Sequence, residues 1–176
     1  TLLSLAGGGR RLMPLAGGTC VSEQARQQIG QLETGALFAP RPVADRDFAE
    51  AARSGLFLYF SCLDEAHKVA QDIATPTGSY WHGILHRQEP DFSNAAYWFR
   101  RVKQHEIFPA LREAAIEQGF QRQSDRAWDP FRFIDACESV HRKRDEALER
   151  TLVEVQLAEW QLLFDYCCRR AVEQGR

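Results

Sequence analysis

Over residues 145–172 the polar side chains Arg150, Glu154, Gln161, Asp165 and Arg169 occupy only about 100° of a helical wheel. Leu, Val, Trp, Phe, Tyr and Cys fill most of the remaining circumference. A helix this widely apolar cannot be covered by one neighbour, so the chain must set other helices around it on several sides. The 176 residues suffice for one such core and are few for two. Burying each large apolar side chain of that helix contributes about 1.5–3 kcal/mol before conformational entropy is counted.

Helical spacing also dominates upstream, and no segment alternates apolar and polar residues beside a hairpin turn. The expected fold is all-α, a single-domain irregular bundle of five to six helices spanning 45–176 behind an N-terminal flank, 1–44. That flank holds seven of the twelve glycines and three of the seven prolines, with one short helix expected over 22–33. It is expected to wrap the core or cover an opening. The first bundle helix is expected over 45–74, where Phe48, Ala52, Leu56, Tyr59, Phe60, Leu63, Ala66, Ala70 and Ile73 share a side with His67. Thr75-Pro76 reads as an N-cap followed by a helix-opening proline, ahead of a short helix over 78–89. Further helices are expected over 92–103, 108–118 and 129–142.

Charge and composition exclude several classes. With 22 Lys and Arg against 24 Asp and Glu, the chain lacks the basic excess that holds a phosphate backbone, so no nucleic-acid partner is expected. No apolar run approaches the ~20 residues that cross a bilayer, so no membrane partner is expected either. Arg10 and Arg11 interrupt the apolar opening segment where a secretion signal needs its core, and Thr19 spoils the lipoprotein-like run ending at Cys20. Five cysteines without CxxC spacing suggest neither a disulfide framework nor a thiolate zinc site, and are expected to be reduced thiols of a cytoplasmic protein.

The chemistry-bearing residues concentrate in 78–89. On a helix there, His82, His86 and Glu89 form one stripe about 60° wide, with Ser79 beside it, while Trp81, Ile84 and Leu85 mark the core side. Histidines at i and i+4 can hold one divalent metal, with a third ligand from Glu89 or another helix and one position open for water. The same groups can instead bond Arg87, Arg100, Arg101, Asn94 and backbone carbonyls, and so pin the turn at Glu89-Pro90-Asp91. The zinc-protease HExxH pattern does not apply, because Gly83 stands where its glutamate belongs. Beyond this helix, Phe92, Ala95, Phe99 and Val102 form a core stripe, whereas Tyr97 and Trp98 lie beside Asn94 and Arg101 and can wall a ligand pocket.

Residues His86, Arg87, Glu89, Asp91, Asn94, Tyr97, Trp98 and Arg100 spell HR-x-E-x-D-x-x-N-x-x-YW-x-R. In this the segment resembles a family of bacterial and fungal all-helical proteins with no assigned activity. The resemblance implies a helical fold and a shared polar segment, and transfers no catalytic role.

A second constellation pairs Asp64-x-x-His67 with Glu138-x-x-His141, half of the carboxylate-x-x-His ligand set of di-iron or di-manganese bundles. Glu33 and Glu106 are the nearest candidates to complete it. Asp64-Glu65-Ala66-His67 also spells a helicase box, an accident in a chain without a phosphate loop. Two functions remain open. In one, a His/carboxylate-lined pocket binds a divalent metal or small-molecule ligand and performs hydrolysis or proton transfer. There His82, His86 and Glu89 are ligands or acid/base groups, Asn94, Tyr97 and Trp98 line the pocket, and Arg100 or Arg101 anchors an anion. In the other, the domain is a non-enzymatic interaction or scaffolding module. A second copy of the chain is a candidate partner in either.

Overall fold

A computed structural model describes residues 8–173. The fold is all-helical, and the described residues contain no strand. The helices are α1 (Glu23–Gln31), α2 (Arg46–Tyr59), α3 (Leu63–Ala70), α4 (Pro76–Gln88), α5 (Phe92–Val102), α6 (Phe108–Glu117), α7 (Pro130–Lys143) and α8 (Glu146–Val172). One 3-10 helix, Thr34–Phe38, lies between α1 and α2. Among the described residues the bundle region holds seven α-helices, α2 to α8, against the five to six expected, because the helix expected over 45–74 is two. Ser61 takes a left-handed φ of 58°, and the chain bends there between α2 and α3. The apolar periodicity runs on through the bend because Phe60, Cys62 and Ala66 remain buried.

Caps set most helix starts. Asp45, Thr75, Asp91, Asp129 and Asp145 each accept a backbone N–H from the first turn that follows, as Ser22 does for α1. α8 packs against α2, α6 and α7, with Leu152, Val155, Trp160, Leu163 and Cys167 buried. Its wide apolar surface is thus met on several sides.

α4 is the second internal element, buried from Thr77 to Gln88 although it carries Ser, His, Arg and Gln. Close approach makes room for it. A Cβ on Gly83 would stand 2.6 Å from the Phe99 ring of α5, and one on Gly55 would stand 2.7 Å from the Trp81 indole. Its polar groups are met by partners. Arg87 is fully buried in an ion pair with Glu159 of α8, donates to Gln156 Oε1 at 3.3 Å, and sits 4.5 Å above the Phe133 ring of α7. Tyr80 donates to Glu159 Oε1 at 3.1 Å. Burial by itself disfavours the charged guanidinium, but the Glu159 carboxylate outweighs it and leaves the Arg87 pKa raised.

The N-terminal segment is part of this core rather than a cover over it. Met13 and Leu15 are buried, and Gln156 donates to the Met13 and Pro14 carbonyls at 3.1 Å. Gly17 N–H donates to the Gln88 carbonyl at 2.6 Å, and Arg11 bonds the Tyr59 carbonyl and Ser61 Oγ. The expectation of five reduced thiols is overturned here. Cys20 and Cys62 form a disulfide across 42 residues, while Cys137, Cys167 and Cys168 are free. Folding supplies what the spacing did not, because the α2–α3 bend presents Cys62 to the returning strap.

Two outcomes follow for urea denaturation. Glu159→Gln leaves a buried guanidinium without its counter-charge and is expected to destabilise by about 3–5 kcal/mol, whereas Arg87→Met with Glu159→Leu recovers most of that loss. Cys20→Ser with Cys62→Ser is expected to lower stability by about 4 kcal/mol from loop-closure entropy, and peptide mapping without reductant should recover the 20–62 cross-link.

Candidate metal centre

α4 places His82 and His86 one turn apart on the face that looks toward α3. Their rings lie 5.6 Å apart and nearly parallel, with 9° between their planes. The third member comes from α3. The His67 ring stands 5.0 Å from that of His82 and 5.5 Å from that of His86, edge-on to both. One nitrogen from each ring lies within 4.8 Å of the others, and this is the one group of three or more metal-ligating side chains found among the described residues. Nitrogens about 2.05 Å from a tetrahedral zinc are about 3.3 Å apart, so modest χ rotations close the triad onto an ion.

The surroundings favour neutral imidazoles. Burial, and then the neighbouring His67 and His86 rings, lower the His82 pKa to about 4. Burial also leads the downward shift at His86, where the Glu89 carboxylate opposes it. His82 is 1% exposed, and its Nε2 is buried without a hydrogen-bond partner. An aromatic nitrogen in that state either carries a desolvation penalty or faces a ligand. Trp98 fixes the ring by stacking on it at 4.0 Å with 4° between planes.

His86 is held differently. Its Nδ1 lies 2.9 Å from Glu89 Oε2, and the Asn94 side-chain nitrogen lies 3.2 Å from its Nε2. A carboxylate on Nδ1 puts the ring proton there and leaves the Nε2 lone pair to the Asn94 N–H, which a metal at that nitrogen would have to displace. Glu89, one of the third ligands considered, bonds His86 and lies outside the cluster, whose third member is His67 on another helix. His67 is half-buried and Glu89 exposed, which puts the approach from solvent on their side.

The remaining candidates are distributed as follows. Arg101 places its guanidinium 5.5 Å from the Trp98 ring and 6.0 Å from that of Tyr97, which is itself 48% exposed. Arg100 is exposed on the same helix. The set of Asp64, His67, Glu138 and His141 is not brought together. Asp64 and His141 are exposed, Glu138 pairs with Arg142 at 2.6 Å, and only His67 contributes to a cluster. The buried face of α7 runs through Phe133, Ile134, Cys137 and Val140, leaving Glu138 and His141 toward its edge. Glu106, the further carboxylate considered there, accepts from Tyr166 Oη at 2.9 Å. Sequence reasoning also missed His105, buried beside Tyr80 and Tyr166 with its Nε2 3.2 Å from Thr77 Oγ1. It lies between α5 and α6, where no periodicity marks a residue as internal.

The chain matches no protein-family model, no curated protein and no solved structure, so the side chains themselves bear the functional reading.

Metal-free protein carries a pH signature. Burial lowers His82 and His105 to about 4, below the roughly 6.5 of an unfolded histidine. Between those values the unfolded chain binds more protons at these groups than the folded one, so their contribution to stability is flat above about pH 6.5 and falls as pH drops toward 4. Urea midpoints in chelator at pH 7 and pH 5 should differ in that direction, and His105→Phe should shrink the difference. Equal midpoints would contradict the burial of these rings.

Proposed function

We propose that the chain binds one divalent transition-metal ion, with zinc as the working case, through His67, His82 and His86. The single observation that supports this most is the arrival of a third imidazole, from another helix, at a helical i,i+4 pair whose His82 Nε2 is buried and unpartnered. Three imidazole nitrogens with no thiolate suit zinc and leave a fourth position for water or substrate, the arrangement of hydrolytic rather than structural sites. Glu89 orients His86, Trp98 clamps His82, and Arg101 with Arg100 supplies positive charge for a small anionic substrate. The His86-to-Arg100 segment that carries the family resemblance contains one ligand, its carboxylate partner, the α5 cap Asp91 and the clamp, which supports reading that pattern as a site signature.

The second reading, a purely structural cluster in an interaction module, draws on the contacts of Asn94 with His86 and of Asp91 N–H with the His86 carbonyl at 2.9 Å. Location is part of the proposal as well. No helix among the described residues is long and apolar enough to cross a membrane. A cytoplasmic location was expected from reduced thiols, whereas the Cys20–Cys62 bond favours an oxidising compartment.

Elemental analysis of protein purified without chelator, after incubation with one equivalent of zinc and desalting, should find about one metal per chain. His67→Ala or His82→Ala should each reduce this to background, and zinc at a hundredfold its Kd should stabilise the native chain by about 2.7 kcal/mol against urea. Retention in both variants, or none in the native chain, would leave the structural reading.

A further inference from the structure

A cleft of about 550 Å³ lies on another part of the molecule, between the 3-10 helix with the turn that follows it and the packed pair α2 and α8. Its floor is Ala52 and Leu56 of α2 and Phe164, Cys168 and Val172 of α8. Its wall is Leu32, Leu37 and Phe38. Arg41 is exposed at its edge, and its side chain makes no ion pair or hydrogen bond among the described residues. None of the three histidines lines it.

We propose that this cleft binds an amphipathic anion, an unbranched fatty carboxylate of medium chain length, with its chain laid along Leu56 and Phe164 and its carboxylate at Arg41. The volume falls in the range of small-molecule sites, and the lining is apolar apart from the Cys168 thiol and Arg41 at its edge. A single unpaired guanidinium beside an apolar trough fits one negative head group on an apolar tail. It fits neither a neutral lipid, which leaves Arg41 unmatched, nor a polyanion, which needs several cations. Cys168 adds no reactive group, since burial raises its thiol pKa to about 12.

The test is calorimetric titration of the intact chain with decanoate, decanol and octanoate, all below their micellar concentrations. Saturable binding of one decanoate per chain is expected, tighter than octanoate by up to about fifteenfold, since each fully buried methylene is worth about fourfold. Decanol should bind several-fold more weakly than decanoate, and Arg41→Gln should erase that preference while leaving zinc stoichiometry unchanged. Ala36→Trp, which fills the mouth from an exposed position, should abolish binding of both. Should that variant fail to fold, Arg41→Gln, on an exposed side chain, still decides the outcome. No saturable binding of decanoate, or an equal preference for decanoate over decanol in the native chain and in Arg41→Gln, overturns the proposal.

Discussion

The buried pairing of Arg87 with Glu159 is the constraint around which the other contacts arrange themselves. Two full charges inside a helical core are tolerated only when each is met by geometry that water would otherwise provide. Tyr80, Gln156 and the face of Phe133 complete that shell, and Gln156 in turn holds the Met13 and Pro14 carbonyls. A single polar knot therefore joins α4, α7, α8 and the N-terminal strap. The close approaches at Gly83 and Gly55 seat α4 against α5 and α2, and the ion pair ties it to α8. A helix that must deliver Arg87 to Glu159 has its rotation and its height both fixed.

That fixed rotation has a consequence on the other side of the helix. Arg87 follows His86 directly and lies five positions beyond His82, so turning Arg87 toward α8 sends both imidazoles toward α3 and Trp98. α3 is held to meet them. The Cys20–Cys62 bond and the Arg11 contacts with Tyr59 and Ser61 anchor the bend just before α3, and His67 is on that helix's second turn. The histidine cluster and the polar knot are thus on two faces of one helix, and the charge pairing on one face sets the orientation of the other.

Helical class, the wide apolar surface of α8, the cap at Thr75 and the stripe of His82 and His86 were legible in the sequence, because each depends on spacing within one element. His67 was visible as a histidine inside an apolar arc, but its partners were not, since the bend at Ser61 that aims α3 depends on contacts with residues 11–21. Glu159 left a comparable trace, lying four residues from both Val155 and Leu163 on the buried side of α8. A lone acid in such a row identifies an internal ion pair only when the matching cation is known, and Arg87 sat within a segment that reads as polar. The disulfide left no trace in spacing at all.

The two proposed sites differ in what the fold asks of them. The histidine triad draws two rings from a helix buried from Thr77 to Gln88, so those rings are constrained by packing, and the buried His82 Nε2 has no hydrogen-bond partner to offset its desolvation. The cleft at Arg41 is lined by a short 3-10 segment whose residues are half-buried or exposed, an element that can adjust at small cost. Rigid donors suit an ion whose bond lengths vary little, and a yielding wall suits a flexible chain bound mainly by apolar area. Because α2 and α8 form the floor of the cleft and α8 carries Glu159, the cleft and the Arg87–Glu159 pair share one packed scaffold.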